Sequence, residues 1–210
     1  MNTKLFRWAA LVAVTLLPIS AAAASLTTTF ASNNVQDGNM FDIVIGGSDI
    51  TINSFDLNIQ SNGTTNVEFY LRAGGIGSSQ NTAADWTRIS TGSVAANGVN
   101  NATPFDVTDT TLSAGTTYGV YLTTTDGTNL AYTDGSSFGS VYSSNSDLSI
   151  LEGYGKSYPF GLNFAPRVWN GSINYTVGNM TPVPLPASGL LLLGGLAFAG
   201  AGLRRRKRKS

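Results

Sequence analysis

Apolar and polar residues alternate along much of this 210-residue chain, and this alternation limits the folds that the chain can adopt. It recurs between residues 25 and 178, for example in Phe41–Ile45, Val67–Leu71 and Tyr118–Leu122. A period of two places one side of a strand against a core and the other toward solvent. Turn signals separate these runs about every 8–12 residues. We therefore predict an all-β fold, an antiparallel β-sandwich or jelly roll of about nine or ten strands.

Two local features predict how some strands connect. The alternation changes phase at Asn53-Ser54, which indicates a bulge or bend between two short runs. Asn62-Gly63 separates Phe55–Ile59 from Val67–Leu71, and Asn-Gly is a strong hairpin signal. We therefore expect these two runs to pair with each other.

Two longer stretches, 73–86 and 153–169, show no alternation and are predicted to be loops, the second packed on the sandwich. Aromatic residues lie in or beside both. Such rings can fill the ends of a core, which is the interpretation we favour. Exposed rings can instead stack on sugar faces, which would make these loops a polysaccharide-binding platform. The candidate platform residues are Trp86, Tyr154, Tyr158, Phe160 and Trp169.

The chain contains no cysteine and no histidine. Disulfides, thiolate chemistry and Ser-His-Asp catalysis are therefore excluded. Glu68 and Glu152 are the two glutamates, and both are expected to be solvated surface acids. Lys156 lies in a glycine-rich loop, where we expect it to be flexible and exposed, without a lowered pKa. We predict no catalytic residues and no enzymatic activity.

The charges are segregated along the chain. Between residues 25 and 178 there are four basic and twelve acidic residues, so the domain carries a net charge of about −8. An acidic surface repels nucleic-acid backbones, which argues against DNA or RNA as a partner. No cofactor and no metal-ligand set is predicted, although aspartate oxygens could hold a structural calcium ion. The candidate oxygen donors are Asp37, Asp42, Asp106, Asp109, Asp126, Asp134 and Asp147.

Residues 1–24 have the pattern of a secretory signal peptide. A positively charged start precedes the apolar stretch Trp8–Leu17, and small residues follow it. We predict cleavage between Ala24 and Ser25, which leaves a β-sandwich domain spanning residues 25–178. An uncleaved anchor is the alternative, but an apolar run of about ten residues is short for a membrane span.

Three segments follow the domain: a proline-rich linker at 179–188, an apolar stretch at 189–203 and a basic tail at 204–210. As a helix, the apolar stretch would be about 22 Å long, shorter than the roughly 30 Å core of a bilayer. We predict a short transmembrane helix that holds the chain only transiently, with the basic tail on the cytoplasmic side. A plain C-terminal membrane anchor is the alternative.

The linker contains Val183-Pro184-Leu185-Pro186-Ala187, and the order of motif, apolar stretch and arginine cluster resembles the PEP-CTERM sorting signal in its VPLPA variant. The literal Pro-Glu-Pro is missing. The resemblance implies export through the inner membrane of a Gram-negative bacterium and cleavage near the prolines by an exosortase-type enzyme. It also implies delivery to the cell surface or extracellular matrix, with exopolysaccharide as a candidate partner. The domain itself is similar to β-sandwich modules often fused to such tails, through Asn39–Asp42 and Pro166–Gly171, and this similarity implies no activity.

Overall fold

Two antiparallel sheets make up the part of the chain that the computed structural model describes, residues 22–178. The predicted all-β antiparallel fold is confirmed, and it fits a β-sandwich. The smaller sheet has the strand order β1 (Ala22–Thr27), β14 (Gly171–Val177), β4 (Ile50–Asn58) and β7 (Ala102–Leu112). The main path of the larger sheet has the order β2 (Asn34–Gln36), β9 (Leu130–Asp134), β13 (Asn163–Trp169), β12 (Gly153–Lys156), β3 (Gly38–Ile45), β8 (Thr117–Thr124), β5 (Thr64–Ala73) and β6 (Thr87–Ala95). Two short strands complete it: β10 (Val141–Ser144) pairs with β11 (Leu148–Leu151), which pairs with β3.

The core lies between the two sheets and is rich in aromatic rings. Trp169 of β13 stacks on Phe41 of β3, with ring centroids 4.7 Å apart. Phe55 of the smaller sheet meets Phe69 of the larger sheet edge to face at 5.0 Å. It also meets Trp169 at 6.0 Å. Edge-to-face and stacked aromatic pairs add stabilisation beyond their buried area, so this group fixes how the sheets face each other.

The predicted bulge is present, whereas the predicted hairpin is wrong. In β4, the register with β7 shifts between Ile52 and Ser54, where the alternation changes phase. However, β4 pairs with β14 and β7, while β5 pairs with β6 and β8. Asn62-Gly63 therefore connects one sheet to the other. The physical reason is that Phe55 and Phe69 both face the core, from opposite sides.

The stretch 153–169 is not a loop throughout, as the sequence had suggested. It contains β12 and β13, which pair with each other around a short turn. Their pairing register shifts between Gly153 and Gly155. Glycines in β12 and Pro166 in β13 conceal the strand pattern, because both residue types disfavour regular strands. This is one reason why the described residues form more strands than predicted.

Gly153 lies where the chain passes from β11 to β12 against β3. A Cβ at this position would lie 2.0 Å from the Met40 carbonyl oxygen and 2.8 Å from the Phe41 Cα. We expect Gly153→Ala to lower the free energy of unfolding by about 3 kcal/mol, because backbone atoms in a packed sheet cannot yield. Gly47→Ala is the control, since no atom lies within 4 Å of its Cβ position. Urea denaturation of both variants tests this, and equal stabilities would contradict it.

The two ends of the described domain lie side by side. Ala22 at the start of β1 pairs with Val177 at the end of β14. No helix within residues 22–178 is long and apolar enough to cross a membrane. The predicted transmembrane helix at 189–203 and most of the predicted signal peptide lie outside the described residues.

Candidate ligand-binding face of the larger sheet

A line of side chains crosses the outer face of the larger sheet, away from the main core. On β3, Phe41 faces the core, so Met40 points to the opposite side. Strand register then places one residue from each of five neighbouring strands in a row, which we call the outer row. Its members are Tyr154, Met40, Tyr121, Tyr70 and Arg88.

Two loops cover the middle of the outer row, residues 74–86 (the first loop) and 157–162 (the second loop). Phe160 of the second loop packs against Tyr121 and Tyr70, with ring-centroid distances of 4.9 Å and 5.3 Å. Trp86 lies beside Phe160 at 6.0 Å, and its indole N–H donates to the Ser79 carbonyl oxygen at 2.9 Å. The outer face therefore has a small aromatic core of its own.

Phe160 has a φ of +146°, a backbone conformation that is strained for a residue with a side chain. Such strain costs on the order of 1–3 kcal/mol and persists only where surrounding contacts hold it. The contacts with Tyr70, Trp86 and Tyr121 supply that support. The conformation of the second loop is thus set by packing on the sheet.

Lys156 fastens both loops to the sheet. Its side chain is fully buried, so the expectation of a flexible, exposed lysine is wrong. The ammonium donates to the carbonyl oxygen of Gln80 and to the amide oxygen of Asn81 in the first loop, both at 2.8 Å. It also donates to the carbonyl oxygen of Gly161 at 2.8 Å and to the amide oxygen of Asn163.

The four acceptors of Lys156 are neutral oxygens. An ammonium has three N–H donors, so the four oxygens share them and no donor is left without a partner. Burial lowers the pKa of Lys156 to about 8, so the expectation that its pKa is not lowered is also wrong. The acceptors act in the opposite direction, because hydrogen bonds to the charged form favour that form. The buried ammonium of Lys156 therefore links separate segments of the chain by donating hydrogen bonds to their oxygens.

Two aspartates tie down the same loops. The Asp42 carboxylate accepts from the Ile76 backbone N–H at 2.7 Å, which anchors the first loop. Burial, the largest cause, raises the pKa of Asp42. Asp37 accepts from the Tyr158 backbone N–H at 2.9 Å, which anchors the second loop. Both loops are therefore held by side chains of the segment that contains β3.

Glu68 is buried beside the outer row, which corrects the expectation of a solvated acid. Its carboxylate accepts from the Tyr70 hydroxyl at 2.7 Å and from the Arg88 guanidinium at 2.6 Å. Burial and then the hydrogen bond to Glu68 raise the pKa of Tyr70 to about 12. Burial is also the main cause that raises the pKa of Tyr158, followed by the charge of Glu68. Tyr158 lies two residues before Phe160, whose ring packs against Tyr70.

Glu152 is likewise buried, against the expectation from the sequence. Its carboxylate accepts from the Ser136 N–H at 2.6 Å, the Ser136 hydroxyl at 2.9 Å and the Ser137 N–H at 2.8 Å. These bonds hold the turn that follows β9. Both glutamates thus accept hydrogen bonds from neighbouring groups.

The predicted platform residues do not form one surface. Trp169 is 1% exposed in the main core, and Trp86 is buried in the aromatic core of the outer face. The core interpretation therefore holds for both tryptophans, and the platform interpretation is wrong for them. Tyr158 is 39% exposed. Tyr154 is half-buried at one end of the outer row and packs against the exposed Phe138 at 4.6 Å.

Several of the candidate calcium donors hold neighbouring segments together. Asp126 accepts from the Asn66 and Thr128 backbone N–H groups, and Asp147 accepts from the Tyr175 hydroxyl. Within residues 22–178, no group of three or more acidic side chains is arranged to hold a metal ion.

The predicted processing residues fall in different places. Ala24 and Ser25 lie within β1, where they pair with Tyr175 and Asn174 of β14. The motif residues Val183, Pro184, Leu185, Pro186 and Ala187 lie outside the described residues.

Comparisons with known proteins give no family. No protein-family model matches the chain, and no curated protein matches it. Among solved structures it is similar to the VP2 subviral particle of infectious bursal disease virus, with 12% identity and a TM-score of 0.26 over 94% of this chain and 54% of that one. The structure of the Gt strain of that virus has 14% identity and a TM-score of 0.23, over 88% of this chain and 54% of that one. The structure of the Gx strain has 14% identity and a TM-score of 0.25, over 87% of this chain and 53% of that one. The chain thus spans about half the length of those structures, and similarity this low assigns no function.

Proposed function

We propose that this chain is an exported, non-catalytic protein of the surface or extracellular matrix of a Gram-negative bacterium. Its sandwich, of the jelly-roll type, has a structural or adhesive role there. The observation that carries the proposal is the order of Val183–Ala187, the apolar stretch 189–203 and the basic tail 204–210. In this proposal an exosortase-type enzyme recognises that tail while the apolar helix is transiently in the membrane.

Two features of the domain suit this role. Its stability rests on packing without any disulfide, since the chain has no cysteine. In addition, β1 and β14 are neighbours in the smaller sheet. The segments that precede and follow the domain therefore leave it at adjacent points.

Mass spectrometry of the protein released from the producing cell's surface tests this proposal. We expect a mature chain that begins near Ser25 and ends near the proline motif. Cleavage there retains Ser25–Thr27, including the buried Leu26, as the part of β1 that pairs with β14. Recovery of surface protein with an intact C-terminus at Ser210 would contradict removal of the tail.

A second candidate role is polysaccharide binding through the aromatic loops. One observation favours it: the second loop holds Tyr158 with a partly exposed ring on a rigid sheet face. Preorganised aromatic groups bind at a lower entropic cost than flexible ones. In this role the protein would contact exopolysaccharide at the cell surface.

A further inference from the structure

We infer that Tyr158, Tyr70, Arg88 and Glu68 form a binding site for a neutral glycan, at the end of the outer row that lies on β5 and β6, opposite Tyr154. This inference rests on the proposed polysaccharide-binding role and gives it a location and a ligand class. None of these residues except Tyr158 stands out in the sequence as part of a binding platform. β5 and β6 pair side by side, which places Glu68, Tyr70 and Arg88 together. The second loop, which contains Tyr158, packs on Tyr70 through Phe160 at 5.3 Å.

The site combines aromatic surface with fixed polar groups. Tyr158 is exposed and Tyr70 half-buried, so both can present aromatic surface. The Arg88 side chain is 54% exposed and is oriented by its bond to the buried Glu68 carboxylate. Its remaining N–H donors are available to hydroxyl groups, since a guanidinium has five. Rings beside fixed hydrogen-bonding groups match a sugar, which has both apolar C–H faces and hydroxyls.

Charge indicates that the ligand is neutral. Arg88 and Glu68 form an ion pair, so their charges largely cancel at the site. The domain as a whole carries four basic against twelve acidic residues. An anionic chain such as a polyuronate would be repelled by this excess and would find no uncompensated cation here. A cationic ligand would compete with Arg88 for a carboxylate that is already engaged.

The site is also held rigidly. The Tyr158 backbone is bonded to Asp37, and Lys156 holds the neighbouring Gly161 carbonyl oxygen. The Tyr70 ring is fixed by Tyr121 at 5.6 Å and by Phe160 at 5.3 Å. Ordering these groups therefore costs little when a ligand binds.

Affinity electrophoresis of the full-length chain tests the inference. The gels contain mixed-linkage β-glucan, galactomannan or xylan as neutral probes and polygalacturonate as the acidic probe. We expect at least one neutral polysaccharide to retard the protein and polygalacturonate not to retard it. Tyr158→Ala should weaken the retardation about tenfold or more, as loss of a central aromatic contact does. Tyr158→Phe should retain most of it, because the ring remains.

Tyr142→Ala is the matched control, because Tyr142 is 42% exposed but lies on β10, which contributes no residue to the outer row. It should leave the retardation unchanged, and both alanine variants should keep the thermal midpoint of the parent. Failure of all three neutral polysaccharides to retard the protein overturns the inference. An equal loss of retardation in Tyr158→Ala and Tyr142→Ala also overturns it. Retardation by polygalacturonate alone overturns the neutral ligand class. None of these outcomes affects the surface-sorting proposal, which the mass of the mature protein tests independently.

Discussion

Replacing Lys156 by methionine is expected to lower the free energy of unfolding by about 2–4 kcal/mol, because four buried or partly buried oxygens lose their donor. Methionine keeps most of the side-chain volume, so packing changes little. The affected acceptors belong to both loops. Gln80 and Asn81 lie in the first loop, Gly161 lies in the second loop, and Asn163 follows the second loop directly. Urea denaturation followed by tryptophan fluorescence measures the change.

Two neighbouring residues of the first loop provide matched controls for this prediction. Asn81→Ala removes one side-chain acceptor of Lys156 and should cost about 1 kcal/mol. Gln80→Ala keeps the backbone carbonyl oxygen that accepts from Lys156, so it should change stability by less than about 0.5 kcal/mol. If Lys156→Met were as stable as the parent, the ammonium would not be holding these loops.

Trp169→Ala is expected to lower the free energy of unfolding by about 3–5 kcal/mol, since a large ring leaves a cavity between the sheets. The Trp169 ring is 1% exposed, and its centroid lies 4.7 Å from that of Phe41 and 6.0 Å from that of Phe55. These contacts join both sheets, so neighbouring side chains cannot refill the space without moving a sheet. Thermal and urea denaturation measure the loss.

Tyr142→Ala, which removes an exposed ring, should stay within about 0.5 kcal/mol of the parent. Trp169→Ala should also show no separate glycan-binding defect at temperatures where it remains folded, because the indole lies in the core. A folded Trp169→Ala protein that has lost neutral-glycan binding would contradict this assignment.

The sequence predicted the fold class and several individual strands well. Alternation is a local property of the chain, and it located β3, β8 and the bulge in β4 near Asn53-Ser54. It could not specify which strands are partners. Asn62-Gly63 has the composition of a hairpin turn, but whether the chain returns to the same sheet depends on how Phe55 and Phe69 pack across the core.

The candidate site was mostly beyond the reach of sequence reasoning. Glu68 and Lys156 are charged residues, and charged residues are rarely fully buried unless they are paired. Their residue types therefore predicted exposed side chains. Their burial depends on residues distant in the chain: two acceptors of Lys156 lie 75 and 76 positions earlier. The one available signal was that the single lysine of the domain lies beside an aromatic loop. Tyr158 was one of the candidate platform rings and is 39% exposed, but Tyr70 and Arg88, the proposed partners, follow only from strand register.

One buried ammonium, that of Lys156, fastens two loops to the outer face of the larger sheet, and one of these loops carries Tyr158 of the proposed site. Hydrogen–deuterium exchange of the Lys156→Met protein, followed by mass spectrometry of its peptides, tests this claim. Amide exchange should accelerate in residues 74–86 and 157–162 together, while β3 and β8 stay protected and Gln80→Ala behaves like the parent. Unchanged exchange in both loops, or faster exchange in only one of them, would contradict the claim.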